Sequence, residues 1–573
     1  MTFFVALDYA VLGAVLCISA GIGIYYRFSG GKQKTNQEYL LGGRSQGIVP
    51  VAFSIMASFM SAITLLGTSA EIYSHGFIFV TINFTYIAAI PIITNFYMPV
   101  FFNLGYVSVY EYLDKRFGTA TRLACSLVFI LQGVLYMGVV LYAPALCNTN
   151  RWVCMCFYSS IGGIKAVIMT DVFQSLLMYA ALFCVIGVSL VNARGISDIW
   201  KVAEENGRIN LLNFNLDPTE RHSLISIFIG GVFIFISLFG VNQIQVQRYL
   251  TTKDLGAASR SLWLALPLLS FLEVSACLCG LCLLYKYHDC DPIRTGRVKS
   301  NDQLMPLFVL DTMGQYPGLP GLFVAGMFSA ALSTISGAIN SLAAVTLEDY
   351  IRPLHSYLTS DTMEHRRSVL LSKILALAYG FVCIGIAFLS KYLGSVLQAA
   401  FTIFGVVGGP LLAVFTLGVL APMCNEKGAL AGLFCGLVFS AWLGFGGPKP
   451  AVPNLPTSLD GCSHQQHLYF NGTTNFNSEE DSTEFSYLYR ISYMYYVLLG
   501  FLTTFLIGII VSCFTKRNNK LNPALYSPCL FKYMQKWKLL RPCLHQCLYL
   551  FSVRFSKNFI LMFRRWRTLM FRK

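Results

Sequence analysis

The chain has 573 residues, of which 55% are hydrophobic, 14% aromatic and only 12% charged, with a mean hydropathy of +0.60. Soluble proteins carry about 25% charged residues, so an ordinary soluble domain is excluded, as is a disordered chain. The formal charge of +15 is a property of one end: residues 515–573 hold 14 Lys/Arg and no Asp or Glu, leaving 28 basic against 27 acidic residues elsewhere. The composition is that of an all-α polytopic membrane protein of near-neutral body with a basic tail.

A hydrocarbon core about 30 Å thick needs about 20 mostly apolar helical residues. In chain order such stretches occupy 3–26, 48–73, 77–102, 121–146, 167–191, 223–241, 261–285, 322–346, 371–389, 396–420, 429–445 and 495–513. A further apolar segment, 151–162, is too short to cross alone. The first stretch is long, contains Asp8 and has no basic residue before it, so it does not read as a cleavable signal. Cys125, Cys184, Cys277, Cys279, Cys282, Cys383 and Cys435 lie inside apolar stretches and read as small hydrophobes. The Cys279–Cys282 pair has no second pair at zinc spacing and is discounted as a metal site.

Basic residues gather in cytoplasmic loops. With thirteen spans and an outside N-terminus, the inside loops carry Arg27, Lys32, Lys34 and Arg44, then Lys115, Arg116 and Arg122, then Lys165, then Arg248, Lys253 and Arg260, then Arg352, Arg366 and Arg367, and finally the basic tail. Twelve spans would give the two halves opposite orientations, so the short segment 151–162 must stand in for a span. The long loop 446–493 then falls outside, where Asn471-Gly472-Thr473 can accept an N-glycan. Cys147, Cys290 and Cys462 fall on the same side, and a Cys290–Cys462 disulfide is open.

Transporters bind ions where helices break near the bilayer midplane. Four spans combine small polar residues, Gly or Pro with otherwise apolar sequence and are expected to be interrupted. The second carries Ser54, Ser58, Ser61 and Thr64; the one at 322–346 carries Ser329, Ser333, Thr334, Ser336, Asn340 and Ser341; 223–241 carries Gly230-Gly231 and leads into Gly240-Val241-Asn242-Gln243; and 396–420 carries Gly405, Gly408, Gly409 and Pro410. Packing is the usual role of small hydroxyl residues in membranes. Hydroxyl and carbonyl oxygens also suit a hard monovalent cation, and the spacing permits a sodium site without demanding one. Asp8 and Glu273 lie within apolar spans with no evident partner, which makes each a functional candidate. No nucleophile–base pair or metal motif appears, so no enzyme is expected.

The stretches Ala57-Ser58-Phe59-Met60-Ser61-Ala62, Gly162-Gly163-Ile164-Lys165-Ala166-Val167, Thr170-Asp171-Val172-Phe173-Gln174, Gly240-Val241-Asn242-Gln243, Gln245-Val246-Gln247-Arg248-Tyr249 and Leu332-Ser333-Thr334-Ile335-Ser336 together resemble the sodium/solute symporter family. Within it the sequence is most similar to the sodium-coupled monocarboxylate transporters and their iodide and multivitamin relatives, from about Tyr9 to about Phe514. The resemblance implies thirteen helices with a leucine-transporter-type inverted five-plus-five repeat, repeat one at about 48–192 and repeat two at about 223–420. Helices 3–26, 429–445 and 495–513 would flank a transporter domain of residues 1–514, followed by a cytoplasmic tail, 515–573.

By the same resemblance, sodium would be held by Ala57, Met60, Ala330, Ser333 and Thr334. Ser58, Phe59, Ser61, Thr64 and Tyr142 would border the substrate or a second sodium. Asp171 would help sodium leave towards the cytoplasm, or merely pair with Lys165. Sugar-carrying members have Asn where this chain has Phe59, so a small organic anion is expected in place of a sugar. The implied partners are sodium ions, that anion and the plasma-membrane bilayer, with no cofactor and no nucleic acid. Two features depart from the family: about a dozen residues are missing between Leu146 and Gly162, shortening the fourth core helix, and the tail matches nothing familiar. The shortened helix motivates a competing reading as a non-transporting sensor of the same fold.

Overall fold

The computed structural model describes residues 5–28, 40–145, 152–361, 363–390, 395–449, 454–462, 487–515 and 522–530. Among them no strand forms beyond an isolated bridge between Gln46 and Thr252. A bilayer has no water to satisfy the backbone, so each apolar run closes its own hydrogen bonds as a helix. The principal helices are α1 (Ala6–Phe28), α2 (Ile48–Phe59) and α3 (Thr64–His75), α4 (Phe77–Leu104), α5 (Thr119–Ala145), α6 (Trp152–Asn192) and α7 (Leu224–Val241). The order continues with α8 (Gln243–Tyr249), α9 (Leu255–Tyr287), α10 (Leu319–Thr346), α11 (His365–Ser390), α12 (Val396–Leu420), α13 (Glu426–Phe445) and α14 (Tyr496–Phe514).

Eleven of these are long and apolar enough to cross a membrane among the described residues, and α2 with α3, bent by 61°, makes a twelfth. The short segment 152–162 is helical and is divided from the membrane span Gly163–Asn192 by a kink at Gly163, so α6 is two helices joined end to end. The φ of 64° and ψ of −178° at Gly163 are open to glycine because it has no Cβ.

Two of the four spans expected to be interrupted are broken, and two are continuous. The second span breaks between α2 and α3, and α7 ends in a π-helical turn, Ile236–Val241, before an extended Asn242 starts α8. These helices open the two expected repeats. By contrast α10 is regular from Leu319 to Thr346 and α12 from Val396 to Leu420, Pro410 included. The glycines of α12 serve close packing: a methyl group on Gly405 would strike Tyr496, and one on Gly409 the backbone of Val497 and Phe501 on α14. Gly230 and Gly231 do the same against Met494 and Thr85. Gly428, Gly432 and Gly436, one every fourth residue on α13, admit Ser512, Gly508 and Thr504 of α14, the small-residue seam by which membrane helices associate without a hydrophobic drive.

The core is built around α10, whose residues from Phe323 to Val345 are all buried and which packs on α2, α5, α6 and α11. Asp8 proves to be structural. Its Oδ1 accepts from the backbone N–H groups of Gly318 (3.0 Å) and Gly321 (2.9 Å), capping the start of α10 from α1, a charge placed where the helix dipole favours it. At the same end of the bundle Cys290 and Cys462 form a disulfide. There buried Arg208 donates to the carbonyls of Tyr73, Leu455 and Pro456, pinning the segment after α13 over the helix ends. Cys279 and Cys282 are free, buried thiols. Asn471, Cys147 and most of the basic tail lie outside the described residues.

Candidate functional site

The helical ladder of α2 stops where the Met60 N–H reaches the Met56 carbonyl (2.9 Å), and Met60 turns extended at ψ 97°. The next ladder starts from the Ser61 carbonyl, which accepts from Thr64 and Leu65, while Ser61 Oγ caps Ile63 N–H (3.1 Å). The carbonyls from Ala57 to Met60 therefore lose their partners four residues on, which leaves oxygen dipoles at a helix end inside the protein. The residues Val51 to Ile63 are buried here apart from Phe53 and Phe59, which are half-buried.

The side chains around the break divide into two groups. On one side Phe59 packs edge-on against Phe235 (5.5 Å) and close to Phe239 (5.4 Å) of α7, and Tyr86 of α4 lies 4.2 Å from Phe235. Ser58 turns elsewhere, exchanging hydrogen bonds with Gln245 of α8 (3.0 Å from its amide nitrogen). Thr64 is half-buried in the π-helical turn that opens α3. Ser61 meets the hydroxyl of Tyr136 on α5, and the Tyr136 ring lies 4.5 Å from Phe404 of α12. Tyr142, which the resemblance places beside the substrate, lies six residues further along α5 and is half-buried. Six residues turn a helix by about 240°, so Tyr142 lies on another face of α5, whereas Gln132, one turn before Tyr136, shares the face of Tyr136.

On the other side, α10 presents Ala330, Ser333 and Thr334, all buried. Thr334 Oγ1 donates to the Ala330 carbonyl (3.1 Å), while Ser333 Oγ donates to Asp171 Oδ1 (2.6 Å). Ser54 of α2 donates to the other carboxylate oxygen, and Arg248 of α8 lies 3.4 Å from it while donating to Ser54 Oγ (2.9 Å) and the Ile244 carbonyl (2.8 Å). Asp171 and Arg248 are fully buried. Gly337 makes room for this arrangement, because a methyl group there would collide with the Arg248 guanidinium. Lys165 takes no part in it: six helical residues turn the chain by about 240°, to another face of α6. Glu273 has a partner after all, the Thr68 hydroxyl of α3 (3.2 Å).

At the disulfide end, Glu71 of α3 is gripped by Arg221 through Nε (2.6 Å) and Nη2 (3.1 Å), and Arg221 also donates to Gln398 of α12 (3.1 Å). His222 bonds the Tyr493 hydroxyl (2.9 Å), and burial pushes its imidazole down to about 3, with Glu71 opposing that shift. At the far end Arg122 pairs with Asp349 beyond α10 (2.6 Å). A cavity of about 850 Å³ lies elsewhere, between α6, α9 and residues 304–313, and is lined by Asn192, Lys286, Arg297 and Asp311.

Comparison with known proteins agrees with this geometry. The sodium:solute symporter family model matches residues 39–436. A putative sodium-dependent multivitamin transporter of Drosophila melanogaster is 51% identical over 88% of this chain and 86% of its own. Sodium-coupled monocarboxylate transporter 1 of Homo sapiens is 43% identical over 91% and 89%. These relatives are transporters and not enzymes. Among solved structures, a Na⁺-coupled sialic acid symporter in a substrate-bound, outward-open state superposes with a TM-score of 0.72 at 23% identity, covering 90% of this chain and 99% of the other. The fold is accordingly of the leucine-transporter type, and the chain belongs to the sodium:solute symporter family.

Proposed function

We propose that this protein couples the entry of sodium to the entry of a small organic monocarboxylate across the plasma membrane. In this reading Ala57, Met60 and Ala330 offer backbone oxygens to sodium, and Ser333 and Thr334 their hydroxyls. Phe59, Ser61 and Thr64 border the anion or a second sodium, with Ser58 and Tyr142 in a surrounding layer. Asp171, already bonded to Ser333, receives sodium on its way to the cytoplasm. The N-terminus lies outside and the tail from 515 onward inside, an orientation supported by the basic loops and by the Cys290–Cys462 disulfide, since disulfides persist in oxidising compartments.

The observation that carries the substrate class is the character of the break: aromatic rings and neutral hydroxyls, with no carboxylate among Phe59, Ser61, Tyr136 and Phe235. Such a site suits a molecule with an apolar body and one anionic end. Each charge moved along the potential supplies about 2.3 kcal/mol per 100 mV, so two sodium ions per anion would drive accumulation electrogenically. Alternating access follows from one repeat rocking against the other.

A second reading, a vitamin acid such as biotin or pantothenate, is favoured by the 51% identity to the Drosophila protein. Either acid shares the single carboxylate and differs in bulk. Iodide would need only the sodium and aromatic parts of the site. The test is uptake of labelled butyrate, lactate, nicotinate, biotin, pantothenate and iodide, with sodium present or replaced by choline, at verified surface density. Sodium-dependent uptake of a monocarboxylate supports the proposal; uptake of iodide alone overturns the substrate class. Ligand-dependent stabilisation without any uptake overturns symport in favour of sensing.

A further inference from the structure

We propose that Gln132 binds the anionic end of the transported solute through its side-chain amide; the inference rests on the symport reading above. Gln132 sits on α5, one turn before Tyr136, and is 2% exposed. Its amide nitrogen is buried and has no hydrogen-bond partner among the described residues. A buried donor left unpaired is costly and uncommon in native structures, so its presence at this spot calls for an acceptor that arrives from outside the chain.

The surroundings fix what that acceptor is. Gln132 faces Gly408 of α12, where a methyl group would come within 3.8 Å of the amide nitrogen and 2.8 Å of Ser237 Oγ. The Gly408 carbonyl accepts from Ser237 Oγ (2.9 Å). Ser237 belongs to the π-helical turn of α7, which on its other side carries Phe239 to Phe59. Tyr136, on the same face of α5, joins Ser61 at the helix break. The unpaired amide thus shares one layer with the break and the aromatic group. A solute held there would lay its apolar body against Phe59 and Phe239 and turn its head towards Gln132.

The distribution of cations argues that this head is met by a neutral donor. Three arginines are buried among the described residues, and each is committed. Arg116 donates to the carbonyls of Gly418, Ala421 and Cys424. Arg208 holds backbone carbonyls, and Arg248 holds Asp171, Ser54 and Ile244. Arg221, at the disulfide end, is closed onto Glu71. An anion in the core is then balanced by co-transported sodium and oriented by amide and hydroxyl groups. A carrier gains from this, because a bare guanidinium would bind the anion strongly and leave an unpaired buried charge once it departed.

The experiment measures sodium-dependent uptake kinetics in wild type, Gln132→Leu and Gln132→Glu, together with sodium-dependent charge movement in the absence of organic solute. Leucine keeps the bulk and removes the donor, so the KM for the anion should rise at least tenfold while the voltage midpoint of the charge movement stays in place. Glutamate sets a negative charge against the anion and should abolish uptake with the charge movement retained; it decides the matter should the leucine variant not reach the surface. An anion KM within twofold of wild type in Gln132→Leu, or uptake that survives in Gln132→Glu, overturns the proposal. Absence of sodium-dependent uptake in the wild type itself would instead remove the symport reading on which it rests.

Discussion

Replacing Arg221 with Met tests whether an ion pair clamps α3 to the first turn of α12. Arg221 binds both oxygens of Glu71 and the side chain of Gln398, and its guanidinium lies 5.0 Å from the Tyr493 ring. Methionine retains much of the bulk and none of the charge. The Glu71 side chain is only 4% exposed, so the variant strands a carboxylate away from water with His75 and His222 as its remaining neighbours. Removing one member of a buried pair costs about 3–5 kcal/mol, whereas removing both charges can be nearly neutral. The double variant Glu71→Gln/Arg221→Met should accordingly recover about 2 kcal/mol or more of that loss, a coupling typical of residues in direct contact. The measurement is the fraction of protein remaining monodisperse after graded heating in detergent, for wild type, both single variants and the double. A wild-type-like Arg221→Met, or a double variant no more stable than Arg221→Met, would refute the argument.

Four further outcomes follow from the same geometry. Ser333→Ala/Thr334→Ala should abolish sodium-dependent uptake at unchanged surface density; normal uptake would remove these hydroxyls from the sodium site. Gly337→Ala should drive a methyl group into the Arg248 guanidinium and cost about 1–3 kcal/mol, seen as a lower melting temperature. Gly385→Ala on α11, where a methyl group meets nothing within 4 Å, should be neutral or stabilising by up to about 1 kcal/mol. His222 is held neutral by burial, its value pushed down to about 3 from 6.5. The unfolded chain therefore takes up the proton first on acidification. Stability from this group is complete above pH 6.5 and declines as pH falls towards 3, at about 1.4 kcal/mol per unit. Between pH 7.5 and 5 wild type should thus lose more thermal stability than His222→Asn, and equal losses would exclude His222 as the cause.

Much of this architecture was legible because a bilayer imposes a length and an apolarity on each helix, and both are written locally. Runs of about 20 apolar residues marked the spans, and the small polar residues from Ser54 to Thr64 marked the break that the structure places at Met60–Ile63. The same local signs misled at α10 and α12, whose hydroxyls and glycines looked like interruptions and proved to be packing features of unbroken helices. A glycine at a break and a glycine under a neighbouring helix have the same propensity; what distinguishes Gly405 and Gly409 is Tyr496 and Val497, 91 and 88 residues away in sequence.

Partnerships depended wholly on the tertiary structure. Asp8 was expected to serve function and instead caps α10, 310 residues further along the chain. Asp171 was weighed against nearby Lys165 and instead meets Ser54, Arg248 and Ser333 from three other helices. Tyr136 and Gln132 gave no signal because their chemistry is ordinary on a lone helix; α5 acquires a site only when Ser61 and Gly408 are brought against it. That the chain crosses a membrane many times and where its charge lies could be read from the residues alone, since solvent and bilayer thickness decide those locally. Which polar groups share a buried layer follows from packing, because in a low-dielectric interior each donor's worth depends on the acceptor that distant helices deliver.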